Sequence, residues 1–184
     1  MELIGPYLAA CVLLVVAGAA KAVRPGDTAR AMAGNLGFRL TLVRPVVRML
    51  AAVELLVGIA GMARPSPPTA GLIAGSYLVF TIFVGVTLAR GGPLASCGCF
   101  GTPDTPATRT HVIVDLVLAV SALTVALKVP AEWLPRLLAG QVWRGIPLVA
   151  LSLLCAGLAY LAMTRLSELG AARRALGIIR GNPV

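Results

Sequence analysis

Two cysteines separated by a single glycine, Cys97 and Cys99, stand in the segment GGPLASCGCFGTPDTP between two long apolar runs. On a regular helix, side chains at positions i and i+2 point to nearly opposite sides, so these two sulfurs can meet only in a turn. Gly98 lacks a Cβ and lets the backbone bend there. A ring this tight is expected to be strained, and strained disulfides are the labile, oxidising ones.

The cysteine pair therefore predicts thiol–disulfide exchange, in which one thiolate attacks and the other resolves the mixed disulfide. Arg90 and Arg109 flank the pair, and the start of the following helix adds partial positive charge, which favours the thiolate. Two other interpretations stay open: a static bridge or inert thiols, and a metal site. Cys97, Cys99 and His111 offer at most three ligands, at a spacing that matches no common zinc pattern, so no metal is predicted.

Glu54 is an acid in the middle of an apolar run, RMLAAVELLVGIAG. An acid at the centre of a membrane helix costs about 2.5–3.5 kcal/mol on insertion scales, so it usually faces the bundle interior with a partner. One interpretation is a structural ion pair with Lys21 or Arg48. The other is a protonatable group in a quinone or substrate cavity.

His111 and Asp115 are one helical turn apart and share one face of a later apolar run. Asp115 in the first turn would complement the helix dipole. Alternatively, the two residues form a proton relay beside the cysteine turn. Together with Cys97, Cys99 and Glu54, they are the candidate catalytic residues.

Composition places the chain in a membrane. Of its 184 residues 58% are hydrophobic and only 12% charged, whereas soluble domains carry about 25% charged residues. The net charge of +9 comes from scattered basic residues with few aromatics, which argues against nucleic-acid binding. Cys11 and Cys155 fall inside apolar runs and are expected to pack as small apolar side chains. The expected fold is an all-α bundle of four core transmembrane helices plus a fifth, within residues 1–165, with spans near 3–23, 45–63, 70–89, 111–129 and 146–163.

Residues 166–184 are expected to form a basic C-terminal tail, and the first apolar run is expected to be a retained span, since it lacks a basic leader. The first gap, RPGDTARAMAGNLGFRLTLVR, predicts a short helix in an interfacial or partly re-entrant segment. Asp27 or Thr28 would cap it, with Ala29, Met32 and Leu36 on one side and Arg30 on another.

Loop charges and redox chemistry predict opposite membrane faces for the cysteine turn. Two spans separate the first gap from the cysteine turn, so both lie on one membrane face together with the C-terminal tail. Most of the basic residues are on that face, and the positive-inside rule would place it in the cytoplasm. A labile disulfide, however, is sustained in an oxidising compartment. In a bacterial-type cell membrane we expect the extracytoplasmic side.

The residues SCGCFG, Ser96 to Gly101, at the end of the third apolar run resemble the signature of the MauE/DoxX-like redox-associated membrane proteins. The similarity extends more weakly to Lys21 at the end of the first run, and to Pro45 and Glu54 in the second. It covers the first four spans. One departure is that related sequences tend to have an Arg-Asn pair early in the fourth span, where this chain has Val-Asp.

The resemblance implies a helical membrane bundle that works with a thioredoxin-fold redox protein outside the cytoplasm. In the name-giving system such a protein assists disulfide maturation of methylamine dehydrogenase. The plan is also similar to quinone-coupled disulfide generators, so a quinone is a candidate cofactor. Only Cys97 and Cys99 are carried over. The implied partners are the lipid bilayer, the thioredoxin-fold protein and a cysteine-containing protein substrate. The alternatives are a non-enzymatic scaffold for a redox partner, with the cysteines only structural, and a small-solute or metal transporter, which ranks last.

Overall fold

The computed structural model describes residues 4–37, 39–89, 108–129 and 142–179, and within these ranges the regular structure is α-helical. The helices are α1 (Ile4–Val23), α2 (Pro25–Leu36), α3 (Leu40–Ala63), α4 (Pro67–Ala89), α5 (Arg109–Leu127) and α6 (Val142–Ile179). The predicted all-α class is confirmed.

Five helices are long and apolar enough to cross a membrane, and they correspond to the five predicted apolar runs. In hydrocarbon every backbone polar group must be paired within the chain, and a helix does this for each segment alone. Large apolar side chains such as Leu56, Ile82 and Ile113 are exposed on the outer faces of these helices. Such surfaces suit lipid contact, and the protein is a multi-pass membrane protein.

The helix boundaries differ from the predicted spans. Helix α3 begins at Leu40, five residues before the predicted start, and runs through Pro45. Proline lacks an N–H, so it removes one backbone hydrogen bond, and this loss falls close to the beginning of the helix. Helix α6 continues to Ile179, so the residues predicted as a basic tail are helical as far as that position.

The expected short helix in the first gap is α2, although its predicted caps are wrong. It begins at Pro25, and its first turn contains Asp27, which pairs with Arg30. Proline suits the first position because its fixed φ matches a helix and its missing N–H would have no partner there. The helix ends at Leu36, and the following Gly37 has a φ of 72°, the left-handed conformation that glycine adopts easily.

One side of α2 packs on the beginning of α3. Ala29 is buried in a small cluster with Val43 and Val47, while Met32 packs partly against it. Arg30 is exposed on the other side. The amphipathic character predicted for this segment is therefore confirmed.

Helix α1 lies at the centre of the bundle and contacts α3, α5 and α6. It is the most buried of the five candidate spans. Glycines make the approach of α3 to α1 possible. A Cβ at Gly58 would be 2.7 Å from Val15 Cγ2 and 3.0 Å from the carbonyl oxygen of Cys11. Helices in membranes associate closely through such small residues.

The contacts also fix the direction of the helices. Gly18 of α1 faces Ala51 and Glu54 of α3, and Gly58 faces Cys11 and Val15. Rising numbers in one helix meet falling numbers in the other, so α1 and α3 are antiparallel. The end of α1, the end of α4 and the beginning of α5 therefore lie at one end of the bundle.

Candidate functional site

A buried ion pair joins α1 to α3. Lys21 Nζ lies 2.8 Å from Glu54 Oε2, and neither residue is more than 2% exposed. Helical side chains tilt toward the N-terminus of their helix, so the ammonium of Lys21, in the last turn of α1, reaches back into the bundle. Gly18 lies one turn earlier, and a Cβ there would be 3.0 Å from Glu54 Cβ. The small residue brings the two helices close enough for the pair to form.

Of the two predicted partners for Glu54, the structure selects Lys21. Arg48 lies on an exposed face of α3. An exposed position at the bundle periphery lets a long basic side chain extend toward the polar boundary. The ion pair therefore uses the cation on the neighbouring helix.

Helix α4 supplies an aromatic wall to this pair. Lys21 Nζ lies 4.9 Å from the centroid of the Phe80 ring, a distance typical of a cation–π interaction. The Phe80 ring is perpendicular to that of Tyr77, with centroids 6.0 Å apart. The Tyr77 hydroxyl donates a hydrogen bond of 2.7 Å to the carbonyl oxygen of Ala10. The aromatic pair thus holds a fixed surface against the ammonium.

Asp115 brings a second carboxyl group to the same region from α5. It is 2% exposed, and it lies within electrostatic range of Lys21. Its Oδ2 has no hydrogen-bond partner among the described residues. It occupies the second turn of α5, which begins at Arg109. The prediction that it sits in the first turn and complements the helix dipole there is wrong.

Asp115 also lines a small cavity of about 10 Å³. Its walls are otherwise apolar or aromatic: Leu13, Ala17, Tyr77, Phe80, Leu118 and Met163. A cavity of about 10–15 Å³ on this measure is the smallest that holds one water molecule. The space beside Asp115 is thus of water size.

His111 is fully buried one turn before Asp115. Its Nδ1 lies 2.9 Å from the hydroxyl of Thr108, the residue that precedes α5. Its Nε2 has no hydrogen-bond partner among the described residues. The predicted face shared by His111 and Asp115 is therefore present and buried. No hydrogen bond between His111 Nε2 and Asp115 Oδ2 closes the predicted relay.

Cys97 and Cys99 lie outside the described residues, so their predicted pairing stays a prediction. Helix α4 ends at Ala89 on one side of the pair, and on the other side the described chain resumes with Thr108, just before α5. Both of these flanking points lie at the end of the bundle that also contains Lys21. In the sequence, the cysteine segment thus connects α4 and α5, and each of these helices contributes side chains to the buried site around Lys21.

The other two cysteines differ from each other. Cys11 is buried against α3, as predicted, whereas Cys155 is exposed on α6. The packing prediction for Cys155 is wrong because α6 is the least buried span and turns most of its surface outward. In the part of the chain that the structure describes, no three histidine, cysteine or acidic side chains gather as metal ligands.

Three of the residues around Lys21 were not predicted to lie together. Phe80 and Tyr77 are aromatic residues within a uniformly apolar run, which gives no signal for a site. Asp115 was linked to His111 along its own helix, although Lys21 is the cation that acts on it. The packing of α4 and α5 against α1 brings these residues together.

A family model described as methylamine utilisation protein MauE matches residues 3–128. The match covers well over half of the chain and includes α1 to α5 and the Cys-Gly-Cys segment. Helix α6 lies outside it. Comparison with curated proteins gave no significant match. Comparison with solved structures gave none either.

Proposed function

The chain belongs to the MauE family, and from this membership we propose that it supports methylamine utilisation by thiol–disulfide exchange at Cys97 and Cys99. The observation that supports the proposal is the position of the two helix ends that flank the cysteine segment. The end of α4 and the beginning of α5 lie at the end of the bundle where Lys21 contacts Glu54. A redox pair there would have ionisable side chains beneath it.

The proposed reaction oxidises a cysteine-containing protein substrate, which is the partner of the pair in the exchange that follows. A thiolate of the partner attacks the Cys97–Cys99 disulfide and forms a mixed disulfide, which releases one of the two cysteines as a thiolate. The partner's second thiolate then attacks the mixed disulfide. The partner leaves with a new disulfide, and Cys97 and Cys99 become thiols. Two electrons and two protons have passed from the partner to the pair.

Renewed oxidation of the pair requires an acceptor for two electrons and two protons. We assign this role first to an oxidised thioredoxin-fold protein, which would take them by the same exchange. A quinone is the second proposed acceptor, and it would be reduced to the hydroquinone. The water-sized cavity beside Asp115 does not fit a quinone ring, so a quinone would have to bind outside it.

Glu54, His111 and Asp115 are proposed to handle the protons of this exchange. All three are buried, and each has one polar atom without a hydrogen-bond partner among the described residues. Ionisable residues inside a membrane bundle are costly and usually serve function. They are placed beneath the end of the bundle where α5 begins.

The pair is proposed to face the extracytoplasmic side of a bacterial-type cell membrane. An oxidising compartment sustains a labile disulfide. A membrane-impermeant maleimide, applied to intact cells after reduction, should label Cys97 and Cys99 when Cys11 and Cys155 are replaced by serine. Labelling only after the membrane is opened would place the pair in the cytoplasm.

The activity is tested in cells that produce the chain with its partner. The Cys97→Ser and Cys99→Ser variants should each leave the partner's cysteines reduced, measured by alkylation gel shift. The matched control is Cys155→Ser, because that side chain faces outward on α6. If both variants leave the partner as oxidised as the control does, the cysteines are structural and the chain is a membrane scaffold for a redox partner.

A further inference from the structure

Three ionisable side chains from three helices meet inside the apolar bundle: Lys21 of α1, Glu54 of α3 and Asp115 of α5. Lys21 contacts Glu54 directly at 2.8 Å. Asp115 lines a cavity whose wall includes Phe80, the ring over which Lys21 lies, and its Oδ2 has no hydrogen-bond partner among the described residues. None of the three residues is more than 2% exposed. We call this group the ion cluster.

The charges of the ion cluster do not balance if every member is ionised. Two carboxylates and one ammonium would leave a net negative charge in a low-dielectric interior, where an uncompensated ion is strongly disfavoured. The other titratable groups near Asp115 in the described chain are Tyr77 of α4 and His111 of α5. Helix α6 contributes Met163 to the cavity wall. The cation on this side of the bundle is Lys21, which lies over the Phe80 ring in the wall of the same cavity.

We propose that Asp115 carries a proton at rest, which makes the ion cluster neutral, and that this proton exchanges with one water molecule in the adjoining cavity. The placement of the proton follows from contact, because Glu54 already accepts the hydrogen bond from Lys21. Asp115, whose Oδ2 has no hydrogen-bond partner among the described residues, lines a cavity at the lower size limit for one water molecule. The resting protonation of Asp115 is tested without the cysteines, so the result holds whether or not Cys97 and Cys99 exchange electrons.

The same arrangement makes the proton transferable. When Asp115 gives its proton to the water, Lys21 is left close to two carboxylates and partly balances both. The step moves one proton and no electrons, and it breaks one O–H bond at Asp115 while forming one at the water. The acceptor of the next step is a titratable group toward the start of α5, where His111 is buried one turn away. The ion cluster is therefore a proton-binding site inside the membrane.

Infrared difference spectroscopy of the full-length protein in lipid at neutral pH counts the protonated carboxyl groups. Wild type should show one buried carboxylic acid band. Asp115→Asn should lose it. Lys21→Met should gain a second, because Glu54 would lose its cation and take up a proton. The matched control is Asp27→Asn, which removes the acid paired with Arg30 on α2 and should leave the band unchanged.

The unfolding temperature then identifies which acid carries the proton. Asp115→Asn keeps the Lys21–Glu54 pair and replaces a neutral acid with a neutral amide. The unfolding temperature of this variant should therefore stay close to that of wild type. Glu54→Gln removes the direct partner of Lys21, so its unfolding temperature should be clearly lower than that of Asp115→Asn. Its infrared band should vanish too, because Asp115 would ionise to balance Lys21.

Three results would overturn the proposal. The first is a wild-type spectrum without a protonated carboxyl band, and the second is an Asp115→Asn spectrum identical to wild type. The third is a loss of stability in Asp115→Asn as large as that in Glu54→Gln, which would mean an ionised Asp115. If Lys21→Met does not fold, the comparison of wild type with Asp115→Asn decides the question alone.

Discussion

Replacing Lys21 with methionine should strongly destabilise the protein, because it leaves Glu54 buried without its cation. At the observed 2.8 Å, two unit charges attract by about 6 kcal/mol at an effective dielectric constant of about 20. Desolvation offsets part of this attraction. Removing one partner of a buried pair typically costs about 3–5 kcal/mol, and this range is the expected loss for Lys21→Met.

The double variant Lys21→Met/Glu54→Gln should recover most of the loss. Its two side chains are neutral and similar in size to the originals, and replacing a buried ion pair with neutral residues is often close to neutral in stability. The free energy of unfolding is measured by circular dichroism during denaturation in mixed micelles. Arg48→Met is the matched control, since Arg48 is exposed on α3, and surface changes usually stay within about 0.5 kcal/mol.

The ion pair is refuted if the losses in free energy of unfolding of the two single variants add up to the loss of the double variant. A strictly additive double-mutant cycle means that the two side chains do not interact in the folded state. A Lys21→Met variant as stable as Arg48→Met would be equally damaging. Either result would remove the ion pair from the account of the site.

Three further predictions concern packing, a buried side-chain hydrogen bond and the accessibility of cysteines. Gly58→Ala should be less stable than Gly71→Ala by about 1–3 kcal/mol, as measured by denaturation in mixed micelles. A Cβ at Gly58 would lie 2.7 Å from a valine methyl group, whereas a Cβ at Gly71 would have no neighbour within 4 Å. Thr108→Val should cost about 0.5–1.5 kcal/mol in the same assay, because it removes the hydrogen bond to the buried histidine of α5. In detergent micelles a maleimide should label the exposed Cys155 before the buried Cys11, which should react only after unfolding, as followed by mass spectrometry.

Hydropathy located the five membrane helices in the sequence but not their limits. Transfer energy reports which residues favour lipid, whereas a helix continues as long as its backbone hydrogen bonds can form. Helix α3 therefore begins at Leu40, before the predicted start at Pro45. Asp115 falls in the second turn of α5 for the same reason, since that helix already begins at Arg109.

The candidate site was predictable only in part. An acid inside a membrane helix needs a partner, and this rule named Lys21 as one of two candidates for Glu54. The choice between Lys21 and Arg48 depends on which faces of α1 and α3 are in contact. A uniformly apolar sequence does not show which faces these are. The same lack of facial pattern hid the roles of Phe80 and Asp115. It also made Cys155 look like a core residue.

The most direct test of the proposed function is a thiol count on the purified protein, in a Cys11→Ser/Cys155→Ser background. Only Cys97 and Cys99 then carry sulfur that can react. After mild oxidation, mass spectrometry should find neither thiol alkylated, and after mild reduction it should find both alkylated, with full reversal on reoxidation. A chain in which both thiols react regardless of oxidant, or in which neither reacts regardless of reductant, contradicts the redox function.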